Sequence, residues 1–218
     1  MIYTYSFSSS VRFAKGRCPR TKAADFFAEQ SYATVPTTNI TDCDFTIAFW
    51  MKIPGHHDDI LRNTVVFTAI STDGNPLFLS LSKQTAGKIH FICGQMLGSN
   101  DDSFIRLIIS TGQIHFDQWT HLAATCQEKK MSLYIDGVEQ IALIERNTSN
   151  LFFNYLSSMA EQSSLNKLYY IGGLPSNGGL SIRSVKFFGS VMDLHVIGVA
   201  FTPDEIYDLY KGEINIPH

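Results

Sequence analysis

The stretch Gly112 to Glu139, GQIHFDQWTHLAATCQEKKMSLYIDGVE, decides the fold. From Trp119 to Cys126 the side chains alternate: Thr120, Leu122, Ala124 and Cys126 fall on one face, Trp119, His121, Ala123 and Thr125 on the other. A period of two belongs to a β-strand. The polar run Gln127-Glu128-Lys129-Lys130 reads as a turn. Beyond it Met131, Leu133 and Ile135 give a second strand an apolar face, with Ser132 and Tyr134 opposite. Asp136-Gly137 then closes a tight hairpin, because Asp-Gly supplies the positive φ angles that such a turn requires.

Working outward, Phe45 to Ile53 (FTIAFWMKI) is apolar on both faces, as in a central strand of a sandwich. Phe45, Ile47, Phe49 and Met51 share one face, and Trp50 lies on the other with Thr46, Ala48 and Lys52. Two readings of Trp50 stand: filler of the sandwich core, or a stacking platform for a sugar ring. Val65 to Ser71 and Leu77 to Ser82 read as a hairpin around Thr72-Asp73-Gly74-Asn75-Pro76. Ile2 to Phe7, Lys88 to Cys93, Phe104 to Ser110, Val138 to Ile144, Leu168 to Gly172 and Val185 to Ile197 are further strands. Gly189 in the last marks a bulge or a close backbone approach. Short strands divided by turn signals indicate an all-β sandwich. Glu145 to Lys167 is the longest irregular stretch. Its Phe152, Phe153 and Tyr155 are either recognition aromatics or anchors of the loop. The tail carries a helix signal: Thr202 as N-cap, Pro203 at the first position, Glu205 closing a capping box, Ile206, Leu209 and Tyr210 on one side, and Gly212 as the stop.

The pattern W-x-H-x-A-x-T followed by LYIDG resembles the central hairpin of laminin G-like domains, members of the concanavalin A-like jelly-roll superfamily. Four further stretches resemble the same family in the same order. They are Lys22 to Val35 as its entry strand, FTIAFW at Phe45 to Trp50, LYYIG at Leu168 to Gly172, and the closing strand with its helix. In the closing strand Phe187, Phe188, Gly189, Val191 and Asp193 fit the family pattern F-x-G-x-I-D-D-V. The resemblance runs from about Ala24 to Gly212. It implies a two-sheet antiparallel jelly-roll sandwich with a short C-terminal helix. One domain is expected over 1–218, with 1–21 as an N-terminal strand and basic loop.

Composition bounds the function. The chain has 218 residues, is 44% apolar and 17% charged, and carries a formal charge of -3, so it is globular and lacks the signature of a polyanion binder. Nucleic acid is not an expected partner. No apolar run reaches the roughly 18 residues of a membrane span. Residues 1–24 hold Arg12, Lys15, Arg17, Arg20 and Lys22 and no acid. They read as a strand and basic loop, a composition shared with organelle transit segments, and Met1 to Tyr5 does not have the form of a secretory signal. The cysteines, Cys18, Cys43, Cys93 and Cys126, are widely spaced with no C-x-x-C, which argues against zinc and leaves cytosolic or extracellular residence open. The sequons at Asn39 and Asn147 matter only for an exported chain.

Glycoside hydrolases of the same superfamily need two carboxyl groups on one strand face, about 5 Å apart for retention. No Glu here has an acid two residues on, Asp42 and Asp44 have the spacing but precede the strand beside a turn-like Thr41, and Asp58-Asp59 and Asp101-Asp102 are adjacent, so a strand would send each of these last pairs to opposite faces. His121 and Cys126 likewise point to opposite faces. No nucleophile motif is present. A non-catalytic module is expected. The resemblance to laminin G-like and pentraxin-like domains implies a glycan or glycosylated partner in adhesion or attachment, with calcium as the cofactor. Asp73 and Asn75 stand in the turn where pentraxin-like relatives place an Asp–Asn pair, and they are the candidate metal ligands. Asp101 and Asp102, Asn177 (where the family's later acidic cluster would fall) and Tyr155 are candidate ligand contacts. His56-His57-Asp58-Asp59 is a further metal-capable run. The alternative is a structural or protein-docking subunit of a larger assembly, cytoplasmic, organellar or viral, using the same fold without sugar binding.

Overall fold

The computed structural model describes residues 6–8, 10–27, 31–36, 44–55, 64–69, 77–83, 89–95, 104–128, 130–140, 143–145, 168–172 and 187–214. In chain order the strands are β1 (Ser6–Phe7), β2 (Arg12–Lys15), β3 (Lys22–Phe26), β4 (Ala33–Pro36), β5 (Phe45–Lys52), β6 (Thr64–Ala69), β7 (Leu77–Lys83) and β8 (Ile89–Gln95). There follow β9 (Phe104–Ile109), β10 (Trp119–Gln127), β11 (Lys130–Ile135), β12 (Val138–Glu139), β13 (Leu143–Glu145), β14 (Leu168–Ile171) and β15 (Gly189–Ile197), then helix α1 (Pro203–Lys211). They form an eight-stranded sheet in the order β1-β4-β14-β6-β7-β8-β9-β13 and a seven-stranded sheet in the order β12-β11-β10-β5-β15-β3-β2. Among the described residues no helix is long and apolar enough to cross a membrane.

The hairpin that opened the reading forms as its residues dictate. β10 pairs with β11 from Leu122↔Ile135 to Gln127↔Lys130. Asp136 (φ 49°) and Gly137 (φ 78°) turn the chain into β12. On its other side β10 pairs with β5 over its length up to Cys126↔Phe45, so the two strongest patterns of the sequence lie side by side at the centre of one sheet.

The alternation then sorts residues between two environments. Phe45, Ile47, Phe49 and Met51 of β5, Leu122, Ala124 and Cys126 of β10, and Leu133 and Ile135 of β11 bury against Val66, Phe67, Ile89, Phe91 and Ile171 of the other sheet. This is the sandwich core. The opposite face of the seven-stranded sheet is covered by α1, where Ile206 and Leu209 bury against Ala48, Ala123 and Tyr134. Small residues on the sheet let the helix sit close. Thr46, fully buried, fastens the approach to it: its hydroxyl donates to the Val199 carbonyl (2.8 Å) and accepts from the Phe201 amide (2.8 Å). The capping box is present, and Gly212 ends the helix in the left-handed region (φ 78°).

Two expectations change, and a third is resolved in favour of one of its alternatives. Lys22 to Val35 is two strands, not one: β3 belongs to the seven-stranded sheet and β4 to the eight-stranded sheet. Val138 to Ile144 likewise splits into β12 and β13 in different sheets. At Gly189 the backbone approach is close, since a Cβ there would overlap the Lys52 carbonyl oxygen, but the bulge lies further on. It falls between Met192 and His195, with Asp193 at φ 51°. The extra residue resets the alternation, so Val191 and Val196 both reach the core while Met192 and His195 take the face beneath the helix.

Candidate functional site

The residues singled out in the sequence, Asp73, Asn75, Asp101, Asp102, Tyr155 and Asn177, lie outside the described residues, as do His56 to Asp59, Phe152, Phe153, Asn39 and Asn147. The strands that flank them are described, and their register fixes where each connection attaches. Ala69 at the end of β6 pairs with Leu79 near the start of β7, Leu77 with Gln95 at the end of β8, and Gln95 with Phe104 at the start of β9. Tyr169, near the start of β14, also pairs with Ala69, and β13 runs toward the same end. The connections 70–76, 96–103 and 146–167 therefore all attach to one end of the eight-stranded sheet. The last joins strands five positions apart, a span of about 24 Å at the usual spacing. Asn177 belongs to the connection that leaves Ile171 at the opposite end.

A second constellation is described in full. On the helix-covered face Trp50 and His121 are direct cross-strand partners. Their rings lie 5.1 Å apart, Tyr210 of α1 stacks on Trp50 at 5.6 Å and 29°, and Tyr210 and His121 are 5.9 Å apart. Arg17, from the turn between β2 and β3, sets its guanidinium 3.9 Å from the Trp50 ring centroid, and its amide donates to the Met192 sulfur at 3.2 Å. Trp50 is thus a buried filler rather than an open platform, but it fills the layer outside the seven-stranded sheet and not the space between the sheets. It is 7% exposed on the outer side of its sheet, and the chain's own guanidinium stands where a sugar would stack. Alternation had placed Trp50 and His121 correctly on their faces, but nothing local in the sequence announced Arg17 or Tyr210 as their neighbours.

His121 is the electrostatic oddity of this cluster. It is 1% exposed, and Nδ1 has no hydrogen-bond partner. Its backbone amide donates to an Asp136 carboxylate oxygen at 2.8 Å. Burial, followed by repulsion from His195 and Arg17, pulls its pKa down to about 4. The ring is neutral at pH 7.

Several described carboxylates are engaged in holding the fold. Asp25 accepts from the Ser190 hydroxyl, Asp44 from the Glu128 amide, Asp117 from the Gly55 amide and Glu139 from the Ser132 hydroxyl. Cys126 is buried in the sandwich core while His121 is on the other face, so the two are separated by the sheet, as their spacing required. Among the described residues no three His, Cys, Asp or Glu side chains gather in a way that would hold a metal ion.

A laminin G family model, described as the concanavalin A-like lectin/glucanases superfamily, matches residues 27–207. The chain belongs to this superfamily. A comparison with curated protein sequences returned no match. Among solved structures, domain 4 of an extracellular arabinanase from Geobacillus stearothermophilus, in complex with arabinotriose, is similar at 20% identity and TM-score 0.57, covering 95% of this chain and 87% of that one. The binding domain of botulinum neurotoxin serotype D is similar at 14% identity and TM-score 0.61. It aligns with 97% of this chain, which spans about half of the toxin domain (47%). A heptameric SAP-like pentraxin from Limulus polyphemus is similar at 16% identity and TM-score 0.50, covering 92% and 80%. At these identities the likeness establishes the concanavalin A-like sandwich and not a ligand.

Proposed function

We propose that this concanavalin A-like domain is a non-catalytic module that recognises glycans or glycosylated partners through one end of its eight-stranded sheet. The observation that carries the reading is the register: it attaches the connections holding Asp73 and Asn75, Asp101 and Asp102, and Tyr155 to the same end of that sheet. The carboxylates, amide and phenol that these connections carry are of the kinds that supply the hydrogen bonds and ring contact a sugar takes. Solved domains of similar fold lend support, since the arabinanase domain is recorded with arabinotriose and a botulinum neurotoxin binding domain with SialylT. Asp73, Asn75, Asp101 and Asp102 are hard oxygen donors of the kind that hold calcium, and a calcium ion at Asp73 and Asn75 is part of the proposal.

A glycan array screened in calcium and again in chelator tests this. The reading expects a specific glycan signal. Loss of that signal on chelation supports the calcium ion at the Asp73–Asn75 turn. A signal indifferent to chelator leaves that turn as a hairpin and moves recognition to Tyr155 and the other polar side chains. No specific signal in either condition contradicts the reading and leaves a protein-docking subunit as the alternative.

A further inference from the structure

We propose that the side of the sandwich where β1 and β2 meet docks on an anionic phospholipid surface. β1 is the edge of the eight-stranded sheet and β2 the edge of the seven-stranded one. The chain passes between them in a tight turn, with the Val11 amide donating to the Ser8 carbonyl. Phe7 and Phe13 meet across that seam edge to face, 5.1 Å apart, and are 40% and 58% exposed. Phe13 and Lys15 are two residues apart on β2 and so share a face. Lys15 lies directly opposite Lys22 on β3, and Arg20 is exposed in the turn between them. Like charges placed opposite one another repel. No described carboxylate forms an ion pair with Lys15, Arg20 or Lys22. Asp25, the acid of this hairpin, pairs in register with Arg12, on the opposite face of the hairpin from Lys15 and Lys22, and accepts from Ser190.

The patch therefore joins cations that have no described carboxylate partner to an exposed aromatic pair. A soluble polyanion would reward the cations and give the rings nothing. A bilayer rewards both, since anionic headgroups attract the lysines while the rings enter the interface. The overall charge of -3 hides this local excess.

Co-sedimentation of the full chain with vesicles of phosphatidylcholine, alone or mixed with phosphatidylserine, tests the proposal. Binding is expected only with phosphatidylserine and is released by salt. Lys15→Ala/Lys22→Ala is expected to weaken it about 25-fold, at about fivefold per cation. Phe13→Ser, which leaves the charge unchanged, is also expected to weaken it, and circular dichroism checks that both variants fold. Equal binding to pure phosphatidylcholine, or no binding to either vesicle, overturns the proposal. So does wild-type binding by Phe13→Ser, which would leave the cations alone to account for the attraction.

Discussion

His121 shows how a single side chain can set the pH range of the fold. Its folded pKa of about 4 lies below the unfolded value of 6.5, so the unfolded state takes up a proton that the native state refuses. Its contribution is complete above pH 6.5 and is lost as pH falls toward 4. The loss is about 1 kcal/mol at pH 5.5 and approaches about 3 kcal/mol below pH 4. Urea unfolding of wild type and His121→Phe at pH 7, 5.5 and 4.5 checks this, and the variant is expected to show a shallower decline. A second residue is fixed by space. Gly172 has φ 83°, and a Cβ there would run into the Phe26 ring, itself 1% exposed and packed on Phe187 at 6.1 Å. Gly172→Ala is expected to cost about 3 kcal/mol, from the left-handed backbone and the overpacked ring together. Chemical denaturation measures it directly.

At the scale of elements, the attachment of α1 depends on Thr46 more than on the helix itself. Helices this short are marginal alone and borrow stability from packing. Thr46→Val keeps the shape but leaves the Val199 carbonyl and the Phe201 amide without their hydroxyl partner. A loss of about 2 kcal/mol is expected. Thr202→Ala, which removes the capping-box hydroxyl, is expected to cost about 1 kcal/mol. Tyr210 stacks on Trp50, so both variants should also alter tryptophan fluorescence. The elements themselves were largely legible beforehand. Alternation from Phe45 and from Trp119 sorted inner from outer faces, Asp136-Gly137 marked its turn, and Thr202 to Gly212 marked its helix. What alternation does not encode is which sheet a strand joins. β3 and β4 are separated by a short connection and read together as the entry strand, yet they join different sheets. Register across β15 was hidden for a related reason, because the bulge at Asp193 depends on pairing with β5. The burial of Trp50 was one of two readings, but its place outside the sandwich interior was hidden because its cover, Arg17 and Tyr210, arrives from distant parts of the chain.

For the whole molecule, the sandwich separates two kinds of surface. One face of the seven-stranded sheet is sealed by α1 and the Arg17 turn, which leaves the strand ends and open sides for partners. Resemblance to pentraxin-like domains suggested Asp73, Asn75 and Asn177, and the polar and aromatic make-up of long connections suggested Asp101, Asp102 and Tyr155. Strand pairing attaches the connections that carry Asp73, Asn75, Asp101, Asp102 and Tyr155 to one end of the eight-stranded sheet and starts the connection that carries Asn177 from the other, a distinction that no local pattern carries. The decisive measurement is a calorimetric titration of the glycan that binds most strongly on the array. It compares the wild-type chain with Asp73→Ala/Asp101→Ala and with Asn177→Ala. The account predicts that the double variant loses at least about tenfold in affinity, the scale of one lost charged contact, while Asn177→Ala binds as wild type does. An unchanged double variant, or a loss confined to Asn177→Ala, would contradict it.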